Sequence, residues 1–305
     1  MDNREMDYII AIAEEGSISK ASERLFMAQS TLSQFLGNLE RKLDSKLFVR
    51  TSTGVRPTEA GKLMIEYAYR ERSEYHRLHD RIQDVEGLKG GSVILGISSF
   101  RGTFLLPGVL TAFRKEYPGI DVVIVEENSM VLEGMLRNGT IDIALIILPA
   151  QILKVPVKTV MRDEICLITS PNHPVMKYAK PSPSHSKSQI EKYIDIRDTI
   201  EFEYLLSDYD TILGRESRRI FREHDIIPKA CNEKLSAFIA ATLGAEGLGL
   251  AFTYYCAKTC FPDAEFLSLG EEGTIIDLVV SLAPGRYSSK AALALKDVMF
   301  NVLGE

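Results

Sequence analysis

The stretch AQSTLSQFLGNLERKL, residues 28–43, separates its polar and apolar side chains onto opposite sides of a helix. At about 100° per residue, Leu32, Leu36 and Leu39 fall together on one side. The other side consists of Ser30, Ser33, Gln34, Gly37 and Arg41. Small polar side chains of this kind allow a helix to enter a DNA major groove, where Ser, Thr and Gln bond to base edges or phosphates. For the stretch alone, an ordinary amphipathic helix is the better interpretation.

The neighbouring sequence predicts a helix-turn-helix followed by a hairpin. Residues 1–57 contain the helical segments MDYIIAIAEE, SKASERLF and QSTLSQFLGNLERKL, with the short connections GSIS and MA between them. The following LFVRTSTGVRPT has a Ser-Thr-Gly turn, which predicts a small hairpin. Residues 20–62 carry eight basic and four acidic side chains inside a chain of net charge -6. This local basic excess favours contact with a polyanion, although a solvated face would also explain it.

A long helix is predicted next, with Thr58 as its cap and its end near Glu86. Such a helix has about 28 residues and a length of roughly 42 Å. Spacings of four and three residues alternate along Met64, Ala68, Glu71, Tyr75, Leu78, Ile82 and Val85, in which Glu71 is the one polar member. This seam predicts pairing with the same helix of a second copy. The alternative is that the helix lies against its own domain.

The pattern changes after GLKGG at 87–91, which has the composition of a linker. Beyond it, apolar strands alternate with helices, which predicts a parallel sheet covered on both faces. The predicted strands are 93–97, 121–127, 142–148, 164–170, 203–207 and 248–252, with a last strand in IIDLVVSLA. The predicted helices lie near 103–115, 130–137, 210–223, 235–246 and 288–303.

A set of N-terminal residues has a specific spacing: Tyr8, Gly16-Ser17-Ile18-Ser19, Ala21, Leu25, Gln29-Ser30, Ser33, Leu39-Glu40, Leu43, Leu47-Phe48, Arg50, Thr58 and Ala60-Gly61. This set resembles the N-terminal signature of LysR-type transcriptional regulators. Three positions depart from the family pattern. Ala28 stands where Ser or Thr is usual, Thr31 where Pro is frequent, and Asp44 where Gly is frequent. We therefore expect a looser first turn in the third helix and an operator preference particular to this chain.

The resemblance implies an N-terminal all-α winged helix-turn-helix with a long linker helix, followed by a two-lobed α/β effector domain similar to periplasmic binding proteins. The implied units are a DNA-binding domain at 1–58, a dimerisation helix at 59–86 and an effector-binding domain at 87–305. Lobe I would span about 91–162 and 268–305, and lobe II about 163–267. The implied function is sequence-specific transcriptional regulation controlled by a small molecule bound between the lobes. A small-molecule binding protein without a DNA role is the alternative.

Two groups of site residues follow. On positions that match the family, the resemblance implies DNA contacts from Gln29, Ser30, Thr31, Ser33, Gln34, Arg50 and Arg56. Ligands of parallel sheets bind at the carboxyl ends of strands, where small polar residues occur. The predicted effector-binding residues are Ser98, Ser99, Arg101, Asn128, Ser129, Ser207 and Thr253. Arg101 suggests an anionic effector, although it could be solvated, and the serines and asparagine could simply cap helices.

The remaining sequence predicts no catalytic, cofactor or metal site, so we do not expect an enzyme. Cys256 and Cys260 are four residues apart, which is a spacing that a redox or metal switch could use. Packed cysteines are the more common arrangement. The expected partners are an operator in double-stranded DNA, a small effector and further copies of the chain, as a dimer or tetramer. MDNREMDYI lacks the features of an export signal and no apolar run is long enough to span a membrane. A cytoplasmic location is expected.

Overall fold

Three helices and a two-stranded hairpin form the first unit of the computed structural model. The structure describes residues 3–85, 90–148, 150, 152–153, 158–285 and 287–304, without the side chains of residues 3, 76, 79, 80, 83, 85 and 231. The elements of the first unit are α1 (Asn3–Glu15), α2 (Ile18–Arg24), α3 (Gln29–Lys42), β1 (Phe48–Thr51) and β2 (Gly54–Pro57). The predicted helix-turn-helix and hairpin are confirmed.

The predicted apolar side of α3 forms part of the core of this unit. Leu32, Leu36 and Leu39 are buried in one hydrophobic cluster with Ile9 and Ile12 of α1. Burial of each such side chain stabilises the fold by about 1.5–3 kcal/mol. The orientation of α3 is therefore fixed by its apolar side, which leaves the polar side facing outward.

The hairpin is held against the turn between α1 and α2. The backbone N–H of Val55 donates to the carbonyl oxygen of Gly16 at 2.7 Å. A Cβ atom on Gly54 would lie only 2.1 Å from that oxygen, so the close approach requires glycine. The hairpin thus has a fixed position relative to the helices.

The turn before α3 contains a strained residue. Phe26 has a φ of +52° and its residue surface is 98% exposed. The left-handed region costs an L-residue roughly 1–2 kcal/mol, and Phe26 recovers little of this by packing. Replacing Phe26 with Gly should raise the free energy of unfolding by about 1 kcal/mol, as measured by denaturation of the full chain followed by circular dichroism. Phe26→Ala, which keeps the strain, is the control; equal stability of the Gly and Ala variants would contradict the strain account.

The long helix α4 (Glu59–Val85) begins where the sequence predicts. The Oγ1 atom of Thr58 accepts a hydrogen bond from the backbone N–H of Gly61 at 3.0 Å, which confirms the predicted cap. The first half of α4 packs on the N-terminal unit, since Ala68 is fully buried and the hydroxyl of Tyr69 donates to Glu14 at 2.6 Å. The first half of α4 therefore lies against its own domain, as the alternative interpretation of the sequence had it.

The later part of the predicted seam is exposed in the single chain. Tyr75, Leu78 and Ile82 are 60%, 55% and 56% exposed. The side chain of Val85 and residues 87–89 of the predicted linker lie outside the described residues. Pairing with a second copy through this exposed part remains a prediction.

The end of α4 is attached to the C-terminal helix. The Oδ2 atom of the buried Asp84 accepts hydrogen bonds from the hydroxyl of Tyr287 at 2.5 Å and from the backbone N–H of Lys290 at 3.0 Å. In return, the Nζ atom of Lys290 donates to the carbonyl oxygen of Asp84 at 2.7 Å. A second contact joins the middle of α4 to the effector domain, where the hydroxyl of Ser73 donates to the carbonyl oxygen of Gly139 at 2.7 Å.

A large mixed sheet with helices packed on it makes up the rest of the described chain. Its strands are β3 (Gly91–Ile97), β4 (Ile120–Glu126), β5 (Ile143–Ile147), β6 (Thr159–Thr169), β7 (Lys180–Pro181), β8 (Lys192–Ile194), β9 (Glu203–Ser207), β10 (Lys229–Leu235), β11 (Leu250–Tyr254), β12 (Glu265–Leu269) and β13 (Thr274–Leu282). The helices are α5 (Ser99–Glu116), α6 (Ser129–Asn138), α7 (Ile212–Glu223), α8 (Ala237–Ala245) and α9 (Lys290–Leu303). None of the helices in these ranges is both long enough and apolar enough to cross a bilayer.

The prediction of a wholly parallel sheet is wrong. Parallel pairs join β3 to β4 and β5, but β6 is antiparallel to β11, β12 and β13. Both kinds of strand, when covered on two faces, give continuous apolar runs, so the pattern does not reveal direction. The strand β10 was missed because KACNEKL has no apolar run, and α8 begins at Ala237 rather than 235.

The two largest hydrophobic clusters of this region lie at different parts of the sheet, and a long strand passes between them. One cluster draws on β3, β5, α5 and α9, and the other on β9, β11, α7 and α8. Strand β6 contributes to both, because Thr159–Ile165 pairs with β13 and Ile165–Thr169 pairs with β11 and β12. The predicted lobe boundary at residue 268 falls inside β12, whose Ser268 pairs with Tyr193 of β8. The lobe boundaries remain a prediction.

Candidate nucleic-acid interface and inter-lobe cleft

The outward side of α3 is a polar surface at the beginning of the helix. Ala28 is the N-cap residue and makes no side-chain capping bond, which confirms that the usual cap is missing. Gln29, Ser30, Thr31 and Gln34 are exposed, whereas Ser33 is half-buried. The structure thus brings all five predicted α3 residues together on the first two turns of one helix, where they could reach base edges or phosphates.

A buried carboxylate fixes α3 to the hairpin. The Oε1 atom of Glu40 accepts hydrogen bonds from the backbone N–H groups of Leu47 at 2.9 Å and Phe48 at 3.2 Å. Its Oε2 atom accepts from the Nζ atom of Lys46 at 2.6 Å. Burial on its own would raise the pKa of Glu40, but the Lys46 and backbone hydrogen bonds outweigh it and the pKa is lowered. This positioning role of Glu40 was not predicted. The sequence showed only that Glu40 is one of the residues that resemble the N-terminal signature of the family.

The hairpin carries two free guanidinium groups beside α3. Arg50 pairs with Val55 across the hairpin and Arg56 with Val49, and both arginines are exposed. Among the described residues neither forms an ion pair, in contrast to Arg24, which binds Glu14 at 2.6 Å. Unpaired exposed cations are suited to neutralising phosphates, because they lose no existing partner.

Four of the predicted effector-binding residues lie at the carboxyl ends of β3 and β4, where α5 and α6 start. Ser98 is the N-cap of α5 and Ser99 its first residue, although Ser98 makes no side-chain capping bond. Asn128 does cap α6, since its Oδ1 atom accepts from the N–H of Val131 at 3.1 Å. The capping alternative therefore explains Asn128 in this structure, while Ser129 beside it is buried.

Arg101 lies in the contact between the two lobes. It is only 3% exposed, and its Cζ atom is 4.0 Å from the centre of the Tyr254 ring. One weak hydrogen bond joins its Nη1 atom to the hydroxyl of Ser98 at 3.5 Å. The Nε and Nη2 atoms are buried and have no hydrogen-bond partner within the described part of the chain. A buried cation with two unused donors is suited to binding an anionic group.

The predicted residues of lobe II are also buried and have unused hydroxyls. Ser207 is the last residue of β9, and Thr253 lies inside β11 rather than after it, as the prediction had placed it. The hydroxyls of both residues are buried without a hydrogen-bond partner among the described residues. Aromatic contacts join α5 to β11 and α8, with Phe100 at 5.4 Å from Tyr254 and Phe104 at 6.3 Å from Phe238 between ring centres.

Sequence reasoning used Asp163 only as a lobe boundary and missed its contacts. Its Oδ1 atom accepts hydrogen bonds from the backbone N–H groups of Glu164 at 2.9 Å and Cys256 at 3.0 Å. Its Oδ2 atom is buried and has no hydrogen-bond partner in the described ranges. Burial, and then the neighbouring carboxylate, raise the pKa of the Cys256 thiol, which disfavours the reactive thiolate and a redox role.

Comparison with known proteins gives matches over almost the whole chain. The family model "Bacterial regulatory helix-turn-helix protein, lysR family" matches residues 3–62, and "LysR substrate binding domain" matches residues 86–303. A probable RuBisCO transcriptional regulator of Cyanidioschyzon merolae is 28% identical over 301 residues, which cover 96% of this chain and 95% of that protein.

Solved structures show the same fold. CbnR, a LysR family transcriptional regulator, in its complex with target DNA has a TM-score of 0.65 at 18% identity, with 99% of this chain and 100% of that chain covered. The effector binding domain of QuiR in complex with shikimate has a TM-score of 0.56 at 19% identity and covers 70% of this chain and 97% of that chain. At these identities the structures establish the fold alone.

Proposed function

Because the chain belongs to the lysR family of bacterial regulatory helix-turn-helix proteins, we propose that α3 and the β1–β2 hairpin bind a specific operator under the control of a small anionic effector. The chain is thus a DNA-binding transcriptional regulator with an effector-binding domain. The observation that carries the operator proposal is the exposed polar side of α3, which begins at Gln29.

The operator contacts follow from side-chain type and position. Gln29, Thr31, Ser33 and Gln34 are proposed to bind in the major groove, because amides and hydroxyls can pair with base edges there. Ser30 and Arg50 are assigned to phosphates, and Arg56 of the hairpin to the neighbouring minor groove. Glu40 keeps these two parts at a fixed distance by binding the backbone at Leu47 and Phe48.

The first test of this proposal is binding to DNA upstream of the chain's own gene. Gln29→Ala and Ser33→Ala should each weaken specific binding by about tenfold, since one lost base contact costs about 1–3 kcal/mol. Gel-shift titrations at several salt concentrations measure this effect. Arg56→Gln should instead reduce the slope of log affinity against log salt concentration by about one, because one fewer counterion is released on binding.

Ser45→Ala, an exposed serine outside α3, is the matched control and should bind like the wild type. All variants are compared by circular dichroism to establish that they are folded. The proposed operator contacts of α3 would be contradicted if both α3 variants bound the operator with wild-type affinity. They would also be contradicted if the wild type showed no specific DNA binding at moderate salt.

The effector site is proposed to lie between the lobes at Arg101, with Ser98, Ser99, Asn128, Ser129, Ser207 and Thr253 around it. The unused Nε and Nη2 donors of Arg101 are parallel in a guanidinium and suit a carboxylate or phosphate. Since Arg101 contacts Tyr254 of the other lobe, an anion bound there would alter the contact between the lobes. We also propose self-association through the exposed seam of Tyr75, Leu78 and Ile82 on α4.

A further inference from the structure

Two opposite charges are buried close to one short segment of the inter-lobe contact. Arg101 is 3% exposed and Asp163 is 6% exposed. The guanidinium of Arg101 lies against the ring of Tyr254, and Asp163 accepts the backbone N–H of Cys256, two residues further along. Both charges act on the pKa of the Cys256 thiol, Asp163 by raising it and Arg101 by lowering it.

Neither charge neutralises the other directly. Within the described residues, no ion pair joins Arg101 to any carboxylate, and the Oδ2 atom of Asp163 has no hydrogen-bond partner. A buried charge without a partner is unfavourable by several kcal/mol in the protein interior. Two donors of the guanidinium, Nε and Nη2, and one oxygen of the carboxylate, Oδ2, are therefore left unused on the two sides of this segment.

We propose that the effector is a zwitterion of the amino-acid class, whose carboxylate binds Arg101 and whose ammonium group binds the Oδ2 atom of Asp163. This inference rests on the proposed function of the cleft as the effector site. A single anion would satisfy Arg101 and leave Asp163 unpaired. An amino acid carries both complementary groups on a short frame and forms charge-assisted hydrogen bonds at each end.

Space is present on the Asp163 side of this segment, and a further polar partner lies near it. Asp163 and Cys256 line a cavity of about 960 Å³, to whose lining Arg101 does not contribute. On β11, which leads into this segment, the buried hydroxyl of Thr253 has no hydrogen-bond partner among the described residues. Arg101 belongs to α5 of lobe I, whereas Asp163 lies on β6, the strand that passes between the lobes. A zwitterion held by both would therefore link the relative position of the lobes to its own binding.

The experiment uses the full-length chain and the twenty standard amino acids, each compared with its 2-hydroxy acid. Thermal shift identifies ligands and calorimetry measures their affinities. At least one amino acid should bind, and its 2-hydroxy acid should bind about tenfold or more weakly, because a hydroxyl cannot replace an ammonium group beside a carboxylate. Asp163→Asn should reduce this preference to less than about threefold, and Arg101→Gln should weaken both ligands by about 30-fold.

The partly exposed pair Arg72 and Asp7, whose Nη1 and Oδ1 atoms are 3.8 Å apart, lies away from this cavity and provides matched controls. Arg72→Gln and Asp7→Asn should bind ligands like the wild type. Asparagine keeps an oxygen for the N–H of Cys256, and circular dichroism checks the fold of each variant. If Asp163→Asn does not fold, the test is the ratio of the wild-type affinities for an amino acid and for its 2-hydroxy acid.

Equal affinity of the wild type for both kinds of acid would overturn the zwitterion but leave an anionic effector at Arg101. Failure of all twenty amino acids to bind would likewise overturn it. The operator titrations are independent of both outcomes, so failure of the DNA-binding proposal would be recognised separately.

Discussion

Replacing Gly61 with alanine should destabilise the N-terminal unit by about 3 kcal/mol, because the new methyl group has no room. A Cβ atom at this position would lie 1.9 Å from the carbonyl oxygen of Leu47 and 3.3 Å from the Cβ atom of Pro57. The Leu47 carbonyl belongs to the backbone and accepts the N–H of Thr58 at 2.9 Å, so it cannot move without breaking the entry into α4. Urea denaturation followed by circular dichroism measures the loss, and operator affinity should fall with it.

Gly37→Ala is the control for this substitution. Gly37 lies in α3, and a Cβ atom there would meet no atom within 4 Å. Alanine is favoured over glycine inside helices by about 1 kcal/mol, so this variant should unfold at a higher urea concentration than the wild type. A Gly61→Ala protein as stable as the wild type would show that the contact between α4 and the hairpin is not tight.

Arg101→Met should have opposite effects on stability and on ligand binding. Without ligand, the variant should be more stable by about 1–2 kcal/mol, since methionine fills similar space without an unpaired buried charge. Binding of the effector should weaken by at least about 30-fold because the charge-assisted hydrogen bonds are lost. Denaturation of the ligand-free chain measures the first effect and calorimetry the second.

Arg162→Met is the matched control, because the side chain of Arg162 is 77% exposed and should affect stability by less than about 0.5 kcal/mol. If Arg101→Met instead lowered the free energy of unfolding by more than about 1 kcal/mol, the contacts of Arg101 with Tyr254 and Ser98 would outweigh the cost of its desolvation. The guanidinium would then be a structural group rather than one held ready for a ligand.

The N-terminal unit could be predicted well from the sequence because its signals are local. The spacing of Leu32, Leu36 and Leu39 sets the buried side of α3, and the capping side chain of Thr58 sets the start of α4. The role of Glu40 could not be read in this way. Its partners, the N–H groups of Leu47 and Phe48, come within reach only when the hairpin folds back on α3.

The C-terminal domain was predicted less completely for the same reason. The strand positions followed from apolar runs, but the antiparallel direction of β13 against β6 depends on contacts between distant segments. Arg101 was identified from its place after the first strand, whereas its burial against Tyr254 is a tertiary property. Asp163 has no local signal, since its burial and its hydrogen bond to Cys256 depend on the contact of β6 with the segment that follows β11, 93 residues further along the chain.

The attachment of Asp84 to Tyr287 and Lys290 bears on how the effector domain is dissected. A fragment that started at residue 87 would lack the carboxylate that accepts the first N–H of α9 and the Tyr287 hydroxyl. The helix that closes lobe I would then begin without this acceptor, and its packing would fray from that end. Ligand affinities measured on such a truncated domain would describe a looser lobe than the one present in the whole chain.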